Sequence, residues 1–302
     1  MEQIEQLEKI CSKYHCTLLR DEPLKKYTTF RIGGNCRALV DINGSELLRE
    51  LILYCNEQEI RWIVLGNGSN VLVSDEGFDG VVFIVGKKFS QIEFLSDCRV
   101  QCQAGALLMS TAKAALEQSY SGMECLAGIP GTIGGALYMN AGAYGGEMAD
   151  VVVSAEYIDE DGSLKTITVN DMEISYRHSM FSGTKRIITS VTMQLREGSY
   201  GEIKAEMEGY LNQRRAKQPL ELPSAGSTFK RPVGSYASML IDQCGLKGAS
   251  VGDAQVSTKH AGFVVNTGKA TCKDVLELCD YVIETVREKT GYELELEPVV
   301  LR

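Results

Sequence analysis

A mixed α and β fold in two parts is what this 302-residue sequence predicts, with a boundary near residue 200. Three observations carry that expectation. Short apolar strands, an amphipathic helix and glycine turns alternate through the first part. A stretch of seven glycines in nineteen residues, 128–146, interrupts it. Beyond residue 200 the pattern changes to helical periodicities and one closing strand.

Taken in order, Leu47, Leu48, Leu51, Ile52 and Cys55 recur at helical spacing, and Ser45 stands where a cap would stand. Trp62–Leu65 is a short buried strand that ends in Gly66-Asn67-Gly68-Ser69-Asn70. Val71–Val73 and Val81–Val85 continue as strands around the loop 75–80. Residues 106–118, rich in Ala and Leu, predict a second helix. Strands are expected at 151–153, 155–158, 164–169 and 187–195, with a hairpin turn at 159–162. Ile203–Arg215 predicts a helix stopped before Pro219, and Ser238–Cys244 a short one ended by Gly245. Thr271 and Asp274 have capping-box spacing ahead of Val275, Leu278, Val282, Ile283 and Val286, and Gly291 ends that helix. A strand over 293–301 is expected last. The domains implied are 1–200 and 201–302.

The net charge of −9 argues against nucleic acid as a main partner. A local basic cluster, Arg214, Arg215, Lys217, Lys230 and Arg231, can still hold a small anion. The N-terminal stretch has acidic residues and no apolar core, so no secretory signal is expected. No run of about 18 apolar residues occurs, so no membrane helix is expected either. A cytoplasmic protein follows from both. Ten cysteines without a Cys-x-x-Cys pair, and only three histidines, give poor support for a metal site. Reduced, mostly buried thiols are expected.

Glycine runs cost conformational entropy. Bare backbone lets several N–H groups approach one phosphate, and the segments 66–70 and 128–146 both suit that role. Neither is a familiar nucleotide loop. Gly134-Gly135-Ala136 lacks the lysine of a P-loop, and Gly66-x-Gly68 is followed by Val71 where a dinucleotide turn needs glycine. Tight turns with close chain crossings are the other reading of the same residues.

Together the segments carry a resemblance. Leu65–Asn70 followed by Ala127-Gly128-Ile129-Pro130-Gly131-Thr132-Ile133-Gly134-Gly135-Ala136 resembles the FAD-binding fold of the vanillyl-alcohol oxidase (PCMH) class. Five further stretches are similar to the family of UDP-N-acetylenolpyruvoylglucosamine reductases. They are Tyr27–Gly34, Met139–Gly145, Tyr176-Arg177-x-Ser179-x-Phe181, Ala225-Gly226-Ser227-Thr228-Phe229-Lys230-x-Pro232 and His260–Asn266. The resemblance implies an α+β architecture: a two-lobed FAD-binding domain followed by a smaller α+β substrate-binding domain. It implies non-covalent FAD on Gly66, Asn67, Gly68, Ser69, Asn70, Gly128, Ile129, Gly131, Thr132 and Gly135. It also implies NADPH as co-substrate and a UDP-sugar enol ether as acceptor.

That reaction adds a hydride, carried by the flavin, to the β-carbon of the ether. Charge then builds toward the carboxylate and the α-carbon takes a proton. Ser227 resembles the family's proton donor, and Arg177 its enolate-stabilising arginine, whose planar fork can grip a carboxylate at two points. The family's catalytic glutamate falls on Glu297 when Gly291–Arg302 is aligned without a gap. Aligning Glu-Pro with the family's common Glu-Pro-Glu puts Val299 there instead; Leu294 and Glu295 favour the ungapped register. In a strand Glu293, Glu295 and Glu297 would share a face. Lys217 and Lys230, with Arg214, are candidates to neutralise a diphosphate, and Tyr144 and Tyr236 to stack on a ring. No long tyrosine-bearing insertion precedes residue 200, which resembles the shorter subtype of the family. A flavin oxidase of another substrate and a non-catalytic nucleotide-binding module are the competing classes.

Overall fold

The computed structural model describes residues 2–302. The chain forms two compact units, each discontinuous in sequence. The first takes residues up to Arg20, Ala38–Asn67 and Gly80–Gln213; the second takes Asp21–Arg37, Gly68–Asp79 and Arg214–Arg302.

The first unit carries helices α1 (Glu2–Lys13), α2 (Ser45–Glu57), α3 (Leu108–Glu117) and α4 (Ile133–Tyr138), and most of α5 (Tyr200–Lys217). The expected stripe of α2, Leu47 to Cys55, is buried throughout. Each such side chain contributes about 1.5–3 kcal/mol by leaving water. Ser45 is not the cap: Gly44 holds that place in extended backbone, with no side-chain bond, and Ser45 is already inside the helix. A four-stranded sheet has the order Leu18–Pro23, Asn35–Asp41, Phe78–Ile84, Trp62–Leu65. Its last pair is parallel, with Trp62 opposite Val81.

A five-stranded antiparallel sheet has the order Leu164–Thr168, Val152–Ile158, Ile187–Gln194, Arg99–Gln103, Ile92–Phe94. The first two form the expected hairpin, where Asp159 N donates to Ser163 O at 2.8 Å. Strand Val152–Ile158 is one element rather than two, bent by register shifts against Ile187–Gln194. Helix α4 packs on Ile187–Gln194, so the glycine-rich segment lies against this sheet.

The second unit packs α6 (Ala237–Gln243) and α7 (Cys272–Thr290) with an antiparallel sheet of Ser250–Val251, Ala254–Val256 and Val264–Asn266. The Thr271 capping box forms as expected, and Val275, Leu278, Val282 and Val286 are buried. The closing strand is shorter than expected. Val299–Leu301 pairs in parallel with Val71–Val73. Upstream of it only Leu296 makes a ladder contact, an isolated bridge to Phe229. Pro298, which has no N–H to donate, stands between the two pairings.

Candidate active site

In the first unit the two glycine segments meet. A Cβ on Gly66 would collide with the Thr132 hydroxyl, and Asn67 Nδ2 donates to Pro130 O at 2.7 Å. The second segment is held in turn by residues 104–108. Ile133 N donates to Ala106 O at 2.7 Å, Gly134 N to Ala104 O at 2.8 Å and Leu108 N to Gly131 O at 3.1 Å. Thr132 is buried and caps α4, its Oγ1 accepting from Gly135 N at 3.3 Å. Close chain crossing is therefore part of the reason for glycine here.

Gly135 shows the other part. It is exposed, and a Cβ there would find only Thr132 Oγ1, at 3.3 Å. Packing presses on this position through that one capping hydroxyl, and its surroundings are otherwise open. Asn67 is exposed and Gly66, Gly128, Ile129 and Gly131 half-buried around it. This is a surface rich in bare backbone at the start of a helix, and it fits a diphosphate-bearing cofactor such as FAD.

Arg177 also belongs to the first unit, at the tip of a two-residue turn. Ser175 N donates to His178 O and His178 N to Ser175 O, both at 3.1 Å. Arg177 has φ +55°, a conformation costly for a non-glycine residue, so the surrounding contacts must hold it. Its guanidinium lies 5.0 Å from the Tyr176 ring centroid. Below the tip, Met180 N closes the loop on Met172 O at 2.8 Å, and Met172 and Phe181 are buried. Ser179 Oγ and Ser182 Oγ donate to Tyr138 O at 2.7 and 2.8 Å. The Ser and Phe of the Tyr-Arg-x-Ser-x-Phe stretch are thus anchors for the arginine.

Ser227 and Glu297 stand on neighbouring backbone segments of the second unit. Ser227 is half-buried after Gly226, which has φ +77°. The next residues run between two neighbours. Thr228 N donates to Gly262 O at 2.8 Å and Thr228 Oγ1 accepts from Val264 N at 2.8 Å. On the other side Glu297 N donates to Thr228 O at 3.0 Å and Lys230 N to Glu295 O at 2.8 Å. The His260–Asn266 and closing stretches therefore flank the serine segment. Glu293 and Glu295 are exposed on either side of buried Leu294, but Leu296, Glu297 and Pro298 are all half-buried, so the expected alternation stops short of Glu297.

Thr29 ties this region to Gly68. Its N–H donates to Gly68 O at 3.2 Å and its hydroxyl to Ser224 O at 2.7 Å. Gly68 has φ +57°, and a Cβ would strike the Tyr27 carbonyl. Asn70 Nδ2 donates to Glu297 O at 3.3 Å. Asn266 Oδ1 accepts from Gly268 N and Ala270 N, each at 3.0 Å, while its N–H donates to Pro223 O at 2.9 Å. These backbone supports were not legible in advance, because each joins residues far apart in sequence.

Lys230, Tyr144 and Tyr236 have partners inside the chain. Lys230 Nζ pairs with Glu295 Oε2 at 3.2 Å, and Lys217 is exposed. Tyr144 stacks on Tyr210 at 5.1 Å, and the Arg231 guanidinium lies 4.5 Å from the Tyr236 ring centroid. Burial pushes the His260 imidazole below its ordinary range; the charges of Lys247 and Lys217 add to this and a backbone hydrogen bond opposes it. His260 Nδ1 accepts from Gly262 N at 3.1 Å, so the neutral ring braces the carbonyl that meets Thr228. All ten cysteines are free thiols. No described helix is long and apolar enough to cross a membrane.

The paired glycine segments and their fold define an FAD-binding flavoprotein, and the FAD binding domain family matches residues 37–168. The C-terminal domain family of UDP-N-acetylenolpyruvoylglucosamine reductase matches residues 218–301. Relatives bearing that enzyme name include one from Clostridium perfringens, 46% identical over 92% of this chain and 90% of its own. Another, from Geobacillus thermodenitrificans, is 43% identical over 98% and 96%. The crystal structure of the reductase from Thermus caldophilus superposes with a TM-score of 0.80 at 36% identity, covering 95% of this chain and 99% of that one. The chain belongs to the UDP-N-acetylenolpyruvoylglucosamine reductase family of FAD-dependent oxidoreductases.

Proposed function

We propose that this flavoenzyme reduces the enolpyruvyl ether of UDP-N-acetylglucosamine enolpyruvate to UDP-N-acetylmuramate, for peptidoglycan synthesis in the cytoplasm, with NADPH as reductant. The observation that supports the reading is the backbone contact between the Ser227 segment and the Glu297 segment, Glu297 N donating to Thr228 O at 3.0 Å. Gly66–Asn70 and Gly128, Ile129, Gly131, Thr132 and Gly135 would hold the FAD. When bound, FAD supplies the hydride chemistry that no side chain can.

The chain's own residues do the rest. Arg177 pairs with the substrate carboxylate and lowers the energy of the charge that gathers there as the β-carbon gains hydride. Ser227 Oγ gives its proton to the α-carbon. A free serine is a very weak acid and needs help from its neighbours; Glu297, donating a hydrogen bond from its carboxyl, joins Arg177 in stabilising the enolate. Lys217 and Lys230 serve the diphosphate. The Lys230–Glu295 pair is exposed and worth at most about 1 kcal/mol, so it yields to a phosphate at little cost.

A visible spectrum of the purified protein tests the reading. The flavin should bleach with anaerobic NADPH and return on adding the UDP-enolpyruvyl sugar. A flavin that bleaches and does not return would discard the acceptor while keeping the cofactor. Protein that takes up no FAD would sink both.

A further inference from the structure

Asn140 is fully buried, polar, and bonded at both ends of its amide. Nδ2 donates to Ser175 O at 3.1 Å, and Oδ1 accepts from Ala149 N at 3.0 Å. The partners fix which end is which, since a carbonyl can only accept and a backbone N–H can only donate. The residue sits at φ +43°, a conformation Asn tolerates better than most residues. It follows α4, at the end of the stretch that carries Thr132 and Gly135.

Ser175 is the base of the turn whose tip is Arg177. The loop's other ties, from Ser179 and Ser182 to the Tyr138 carbonyl, lie on the far side of His178. Asn140 therefore joins the glycine-rich segment to the residue that opens the arginine turn. A strained tip on a two-residue turn transmits any movement of its base straight to the guanidinium. Bidentate recognition of a carboxylate tolerates little such movement.

We propose that Asn140 is a positioning residue for Arg177, setting the turn so that the guanidinium meets the substrate carboxylate. The proposal rests on the reading of Arg177 given above. Its test therefore varies both residues and follows the two half-reactions by rapid mixing.

Asn140→Asp retains an acceptor for Ala149 N and loses the donor to Ser175 O when ionised, so it is followed above neutral pH. Asn140→Gly, which accepts the positive φ without a side chain, is the second variant should the first lose its flavin. Either is expected to slow reoxidation of reduced flavin by the enol ether about 10- to 100-fold, the range a small misplacement causes. Flavin reduction by NADPH should stay within about twofold of the parent, well short of that loss. In an Arg177→Ala background the same change should add less than about twofold, because the coupled term is already gone.

An equal loss with and without Arg177 would overturn the proposal, since the amide would then support the fold and not the arginine. Unchanged reoxidation in both single Asn140 variants would overturn it as well. If Arg177→Ala alone reoxidises at the parent rate, the role given to Arg177 falls first and this proposal falls with it. That outcome is read from the arginine variant without reference to Asn140.

Discussion

Asn70 brackets Pro298: its side-chain amide donates to the Glu297 carbonyl at 3.3 Å, and its own carbonyl accepts from Val299 N at 2.9 Å. The intervening Pro298 can donate nothing, so Asn70 satisfies the backbone on both sides of a residue that would otherwise break the strand. Asn70→Ala removes one of the two bonds. Unfolding free energy should fall by about 1 kcal/mol. Amide exchange at Val300 and Leu301 should speed up; unaltered protection there would show that the bend holds without the side chain.

Ser227→Ala should leave flavin reduction by NADPH near normal and slow reoxidation by the enol ether by about 10²- to 10⁴-fold, the scale of a lost proton donor. Glu297→Gln should act on the same half-reaction. Val299, which pairs opposite Val71, is the control: Val299→Ala should change reoxidation little. A silent glutamine variant together with a slow Val299→Ala would move the catalytic register to the other alignment.

His260 gives the protein a pH dependence of definite sign. Its folded pKa lies below the unfolded value of about 6.5, so the unfolded chain takes up the proton first as pH falls. The stabilisation is complete above the unfolded value and is lost as pH drops toward the folded one. His260→Gln, whose amide oxygen can replace Nδ1 as acceptor for Gly262 N, should flatten the decline in Tm between about pH 7.5 and 5.5. Identical slopes for parent and variant would assign the decline to other groups.

The thiols should sort by burial. Burial pushes Cys11, Cys55, Cys102 and Cys279 up to about 12, where almost no thiolate exists at neutral pH. Cys98 and Cys125 are the half-exposed pair. A chromogenic disulfide reagent should find no more than these two in the native protein, and all ten after denaturation. Rapid titration of more would mean that the core around the buried cysteines opens readily.

What the sequence made legible is local. The stripe of α2, the capping box of α7 and the hairpin at 159–162 follow from spacing within a few residues, and each is present. Ser45 failed as a cap because Gly44 supplies the extended residue one position earlier. The expected strand over 293–301 runs straight through Pro298, and the pattern of alternating residues does not show that its two halves pair with different partners. Asp75 could not be foreseen: its carboxylate accepts from Cys272 N at 2.8 Å and Lys273 N at 3.0 Å, a second cap on α7 from a distant loop. The stacked Tyr144 and Tyr210, and Asn140 beneath the arginine turn, are long-range in the same sense. An Asn amid glycines, at a place where a chain leaves a helix, was the one local clue to the last of these.

The second unit is assembled from an early hairpin region, a short middle piece and the final third of the chain. On the ribosome, Val71–Val73 emerges long before Val299–Leu301, its parallel partner. Until then those three residues present an unpaired edge, and the Asn70 contacts have nothing to close upon. Most of the first unit is free to fold during synthesis, whereas the serine–glutamate pair can form only after translation is nearly complete. Nascent chains stalled short of residue 296 should therefore be the species that chaperones hold.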